Sequence, residues 1–274
     1  MQHIGTFVRT DKLMNRILES FGQALAHYLD QPEPGYEPFT PSEPDVLRST
    51  LRPGDVLLIE GNTRISGPIK YLTQSTWSHA ALFVGSAVPS DPEGGQSYSL
   101  IEATVADGVI AAPLSKYYKF HTRICRPVGL SPEECKRVCG HAIECIGLKY
   151  DLKNIVDLVR YLVPLPVPQR WRRRMIALGS GDPTRLICSG MIAQAFQSVR
   201  YPILPQITFV ESGFAREEML EIRHSSLFVP RDFDISPYFL IVKPALERAF
   251  DYHLIRWRTH SPTAFVTPNA RELA

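Results

Sequence analysis

Between residues 55 and 128 the chain is a succession of short apolar segments, 55–60, 78–84, 98–104, 109–114 and 123–128, set apart by stretches rich in Gly, Pro, Ser and Asp. Segments of this length, closed by turn-forming residues, predict antiparallel strands joined by short connections. Next, Ser131-Pro132-Glu133-Glu134 offers an N-cap serine, a proline at the first helical position and a capping-box glutamate. That combination predicts a helix, which Gly147 can close. Residues 155–163 and 187–199 also carry helical apolar spacing, and 238–242 reads as a late strand returning to the sheet. Strands first and helices after predict an α+β architecture.

With 274 residues, 44% of them apolar, the chain can bury one core and still carry dressed ends. Leu13, Ile17, Leu18, Phe21, Leu25 and Leu29 recur at helical spacing, so an amphipathic helix is expected before the domain. The proline- and acid-rich stretch DQPEPGYEPFTPSEP that follows reads as an extended linker. The expected organisation is an N-terminal helix and linker over 1–47, a catalytic domain over 48–245 and an extension over 246–274. A net charge of +2 makes no case for a nucleic-acid partner. The N-terminus lacks the pattern of a secretory leader, no apolar run is long enough to span a bilayer, and five cysteines do not form a disulfide framework. Cytoplasmic location follows as the expectation, and neither a metal nor another cofactor is expected.

Three residues could assemble into a nucleophilic site. A cysteine nucleophile needs an imidazole to take its proton, and the imidazole needs a polar group to orient it. His79 and Glu102 lie on consecutive expected strands, about equally far from the turn between them. Residues so placed face each other with Cβ atoms about 5 Å apart. An isolated strand histidine is more often satisfied by a backbone carbonyl, but a glutamate flanked by Ile101 and Ala103 must reach solvent or a donor. Cys188, in RLICSGMIAQAFQ, falls in the first turn of a helix if a loop continues to about Leu186. There, free backbone N–H groups favour a thiolate. An alternative start at Asp182-Pro183 places it deeper.

Cys135 and Cys139 fall in register with the apolar stripe of the capped helix and read as core. His141 and Cys145 lie off that stripe, which argues against a zinc site. The cluster Arg170, Trp171, Arg172, Arg173 and Arg174 reads first as a solvated face. Peripheral contact with anionic lipid of the inner membrane is the sharper alternative.

With these residues in place, the sequence resembles the permuted branch of the NlpC/P60 papain-like superfamily, the YiiX/YaeF-like amidases. The motifs LRPGDVLLIEG, WSHAALFVG, LIEATVADGV, GLKYD and LICSGMIAQAF occur in that family's order, and VPRDFDISPYFLIV is similar to its closing segment. His79 precedes Cys188, as the permuted order requires. The resemblance implies an antiparallel sheet or partial barrel packed by the nucleophile's helix, with Cys188, His79 and Glu102 as the triad. It places Tyr150 at the pocket, or simply at a helix end, and Ser78 and Ser189 are assigned to the same pocket. Gly190 and Met191 depart from the polar residue usual after the Cys-Ser pair, and the inserted PLPVPQRWRRRM is expected to form a lid or docking element.

The resulting expectation is a cysteine hydrolase acting on an amide, in a peptide or peptidoglycan-like fragment, through an acyl thioester. A lipid deacylase or acyltransferase resembling the lecithin:retinol acyltransferase branch is the alternative that IVDLVRYLVPLPV motivates. A catalytically idle binding module ranks last.

Overall fold

A computed structural model describes residues 23–25, 27–35, 43–89, 97–149, 187–212, 215–221 and 223–244. Its elements, in chain order, are α1 (Pro44–Thr50), β1 (Val56–Ile59), α2 (Ser66–Thr73), β2 (His79–Phe83), β3 (Tyr98–Thr104) and β4 (Gly108–Pro113). After a 3-10 turn (Leu114–Tyr117) come β5 (Thr122–Pro127), α3 (Pro132–Glu144), α4 (Ile187–Gln197), β6 (Gln206–Ser212), β7 (Ala215–Glu221), α5 (Pro230–Ile235) and β8 (Phe239–Val242).

Six strands form one antiparallel sheet in the order β4-β3-β2-β1-β5-β8, and β6 and β7 pair as a separate hairpin. β1 is buried on both faces, and alternation along it separates two cores. Val56 and Leu58 join Ala80, Leu82, Ile101 and the buried residues of α3 and α4. Leu57 and Ile59 pack with Leu47, Ala81, Leu100, Leu114 and Tyr117 on the opposite face. The α+β architecture read from the chain is the one observed. No helix among the described residues is long and apolar enough to cross a membrane.

The capping box forms as expected: Ser131 accepts from the Glu134 N–H, and the Glu134 side chain accepts from the Ser131 N–H. Cys139 lies in the core and Cys135 is half-buried, but Cys145 is buried too, as the helix C-cap, and so belongs to the core rather than off it. The core also begins earlier than residue 48. Pro44 occupies the start of α1, where its missing N–H costs nothing, and Leu47 is fully buried. Upstream, residues 29–33 dock onto the loop after β1, with the Leu29 and Gln31 carbonyls accepting from Ile65 and Arg64 and the Glu33 N–H donating to Asn62. Leu29 is buried there. Residues 23–25 and 27–29 are helical, as the expected N-terminal helix requires; its earlier residues, the helix over 155–163 and the extension over 246–274 lie outside the described residues.

One ion pair ties the start of the sheet together. Asp55, almost fully buried, accepts two hydrogen bonds from Arg126, at 2.9 and 2.8 Å, and one from the Arg52 N–H, while Arg126 also donates to the Thr50 carbonyl. Removing one partner strands a buried charge. Asp55→Ala is expected to cost about 3–5 kcal/mol in denaturant unfolding. Asp55→Ala with Arg126→Ala should cost less than the sum of the singles, because neither charge is left alone.

Candidate active site

His79 is the first residue of β2, opposite Ile59 of β1. Strand alternation turns it, with Ala81, away from the helices and toward Glu102. The β2–β3 register pairs Ala81 with Glu102, so the pairing expected from the turn midpoint is displaced by two residues. The long 84–97 connection is not a symmetric hairpin, and register follows the strands rather than the count across the loop. An even displacement keeps both side chains on one face. His79 and Glu102 are therefore diagonal neighbours, still within reach of each other.

The Glu102 carboxylate is fully buried. His79 Nε2 donates to its Oε2 at 2.9 Å, Tyr117 donates its hydroxyl to the same oxygen, and Lys116 donates its ammonium to Oε1. The buried glutamate thus has donors instead of a path to solvent. Burial alone would oppose its ionisation, but the hydrogen bond and charge of His79, followed by those of Lys116, bring the carboxyl down to about 2. Burial and the Glu102 charge push the Tyr117 hydroxyl well above its ordinary value.

Cys188 lies in the first turn of α4 and is buried. The helix packs on β2 and β3, its face formed by Met191, Ile192, Ala195 and Phe196. Polar ties fix its position: Ser189 donates to the Phe228 carbonyl at 2.6 Å, Gln194 to the Ser225 hydroxyl and Gln197 to the Arg223 carbonyl. This brings the thiol to the end of β2, beside His79, whose charge it feels directly. Nε2 is committed to Glu102, which leaves Nδ1 as the ring nitrogen free of that carboxylate. Burial works against a thiolate, yet the charge and hydrogen bond of His79, with the N–H groups of Ala80 and Ser189, hold Cys188 below an ordinary thiol. Burial likewise works against an imidazolium, and the Cys188 and Glu102 anions outweigh it, raising the proton affinity of His79.

A cavity of about 340 Å³ opens beside these groups. Ile65, Ile69, Val105 and Phe120 supply apolar wall, and Asp30, Ser78, Lys116 and Tyr117 supply polar atoms. The Ser78 hydroxyl accepts from the Gly61 N–H at 2.9 Å. A Cβ at position 61 would sit 2.6 Å from the Ser66 Oγ and 2.8 Å from the Ser78 Oγ, so only glycine fits this wall without a shift. Ser189 corrects the pocket assignment. It is fully buried, its hydroxyl is used by Phe228, and it anchors the helix rather than lining the cavity. Tyr150 and the 170–174 cluster fall outside the described residues. Lys116, Tyr117 and Asp30 were not legible as site residues, although the Lys-Tyr pair just after an apolar strand is a usable signal.

The stretch before His79 is pinned from the far end of the chain. The Trp77 indole donates to Asp234 of α5 at 3.1 Å, Arg123 donates to the same carboxylate at 2.7 Å, and the guanidinium lies 4.9 Å from the Trp77 ring centroid. VPRDFDISPYF thereby braces the histidine strand.

A thiol at a helix start, an imidazole at the end of an adjacent strand and a carboxylate behind it, carried on an antiparallel sheet with the histidine first in the chain, define a permuted papain-like protein. Residues 50–161 match the family model described as "Permuted papain-like amidase enzyme, YaeF/YiiX, C92 family". Over that stretch the chain is similar to the YaeF/YiiX family of permuted papain-like amidases. The stretch includes His79 and Glu102 and ends before Cys188. Among curated proteins, the chain is 23% identical over 187 residues to "Probable lipoprotein peptidase YaeF" of Escherichia coli (strain K12), covering 62% of each chain. The chain thus spans under two thirds of that relative's length. A solved structure described as metalloprotein yiiX from Escherichia coli O157:H7 aligns with a TM-score of 0.42 and 15% identity, over 70% of this chain and 96% of the other.

The depressed Glu102 value sets a pH dependence. A carboxyl held lower in the folded than in the unfolded state adds stability above its unfolded value, near 4.3, and that stability is lost as pH falls through the folded value. Denaturant unfolding should therefore show wild-type stability declining between about pH 4.3 and pH 2. Glu102→Gln is expected to flatten that decline.

Proposed function

We propose that this protein is a cysteine hydrolase that cleaves an amide bond, with Cys188 as nucleophile, His79 as proton carrier and Glu102 as the group that orients His79. The observation that carries the reading is the row of buried thiol, half-buried imidazole and buried carboxylate beside the cavity. In the proposed reaction the Cys188 thiolate attacks the carbonyl carbon, and the C–N bond breaks as the His79 imidazolium gives its proton to the leaving amine. His79 then takes a proton from water. The resulting hydroxide attacks the thioester, releasing the acid and restoring the thiol. Backbone N–H groups at the start of α4 are suited to the oxyanion.

A second reading, removal of an acyl chain from a lipid ester by the same acyl-cysteine, draws support from the apolar wall of Ile65, Ile69, Val105 and Phe120. Contact of Arg170–Arg174 with anionic lipid belongs to that reading. Paired assays with peptide amides and with fatty esters on vesicles separate the two by which product appears.

Cys188→Ala should reduce turnover of any accepted substrate to background, and His79→Gln should lower kcat/KM by roughly a thousandfold or more. Iodoacetamide should alkylate Cys188 rapidly well below the free-thiol value of about 8.5. A labelling curve like that of free cysteine, unchanged in His79→Gln, argues against the whole reading.

A further inference from the structure

We propose that Lys116 and Tyr117 are positioning residues that set, through Glu102, how readily His79 gives up its proton. The inference rests on the acid–base reading of Cys188 and His79 above and adds a role for two side chains of the 3-10 turn after β4.

A protonated His79 lies beside two anions, the Glu102 carboxylate bonded to Nε2 and the Cys188 thiolate. In a buried site both attractions are strong, and each stabilises the imidazolium. A carrier held so tightly takes a proton easily and releases it poorly, whereas the reaction needs both within one turnover. The carboxylate must therefore orient the ring without presenting its full charge to it.

The structure supplies the means. Tyr117 donates to Oε2, the oxygen that also accepts from His79, so phenol and imidazole share one acceptor. Lys116 donates to Oε1 and offsets the charge from the other side. Its ammonium also lies 5.4 Å from the Tyr117 ring centroid, which keeps the two donors in one cluster. Among the described residues, the other ionisable groups coupled to this row are Cys188 from α4, Glu102 from β3 and Asp30 from the N-terminal segment, with Asp107 behind Asp30. All of these are acidic. Lys116 is the one lysine or arginine among them, and the Glu102 carboxylate is where its charge is spent.

The sign of each substitution follows. Loss of the Lys116 charge or of the Tyr117 hydroxyl leaves a stronger carboxylate facing the ring, so His79 should hold its proton to higher pH. Loss of the Glu102 charge should do the opposite. A role confined to packing predicts no such opposition.

The experiment needs no substrate. NMR of ring-labelled histidine, with the His79 signal assigned by its loss in His79→Gln, follows the titration in the wild type, Lys116→Met, Lys116→Arg, Tyr117→Phe and Glu102→Gln. Iodoacetamide labelling of Cys188 is run in parallel. The expected result is a midpoint raised by roughly one pH unit in Lys116→Met and in Tyr117→Phe, lowered in Glu102→Gln and returned toward the wild type in Lys116→Arg. The Lys116 side chain is 43% exposed, so Lys116→Met and Lys116→Arg decide the matter even if the buried Tyr117→Phe fails to fold. A folded Lys116→Met whose His79 midpoint is unmoved or lowered, while Cys188 still labels rapidly below the free-thiol range, overturns this inference alone. A wild-type Cys188 that labels like free cysteine overturns it together with the acid–base reading beneath it.

Discussion

The carboxylate of Glu102, buried on β3 one strand in from the edge of the six-stranded sheet, is the constraint around which the rest is arranged. An isolated charge there would cost several kcal/mol, and no path to water relieves it. The fold meets that demand with three donors from two places, His79 at the start of β2 and the Lys116–Tyr117 pair after β4. Since β3 lies between β2 and β4, satisfying the one carboxylate couples the register of three strands. A slip of one residue would turn Glu102 into the helix-facing core and leave its donors behind.

The same constraint reaches the thiol. His79 cannot turn away from Glu102 without taking one of its three donors from a buried carboxylate, which holds the ring at the end of the sheet, where any partner must come. α4 does so because residues on nearly all its sides are buried and its polar side chains are tied to residues 223–228. The aromatic cluster of Phe196, Tyr201, Phe233 and Phe239 then joins that helix to α5, which holds Trp77 and Arg123 through Asp234. The chain order of histidine and cysteine is immaterial to this geometry. What matters is that the sheet end and the helix start coincide.

Much of this frame could be read from residues alone. β3 and the capping box of α3 lie where Tyr98–Thr104 and Ser131–Glu134 indicate, because local alternation and cap chemistry decide them. α2 was missed because Gly67 and Pro68 suggest a loop, yet a proline in the first helical turn gives up only an N–H that has no intrahelical partner. The β6–β7 hairpin was missed because ARE and EMLE carry little β-propensity. His79 and Glu102 were correctly set on one face but given the wrong register, since a long loop does not report the pairing of its flanks. The Lys116–Tyr117 donors escaped notice because a four-residue 3-10 turn has no periodicity to betray its direction, and only the buried charge that it serves explains it.

The segment before the sheet shows the same limit differently. Prolines 32, 34, 38, 41 and 44 argue for a spacer, and a spacer has no reason to touch a site. Yet residues 29–33 follow the 62–65 loop through backbone hydrogen bonds, a pairing that extended, proline-rich chain can make at an edge. Buried Leu29 holds that edge in place, and Asp30 thereby enters the cavity wall. Its carboxyl is pushed up by burial, against the pull of Lys116, whose charge Glu102 already engages. Among the described wall residues, Asp30 is the carboxylic acid outside the Cys188–His79 and Glu102–Lys116 pairs. Asp30 thus sets a carboxyl beside apolar Ile65, Ile69 and Phe120, within electrostatic reach of Lys116, His79 and Glu102.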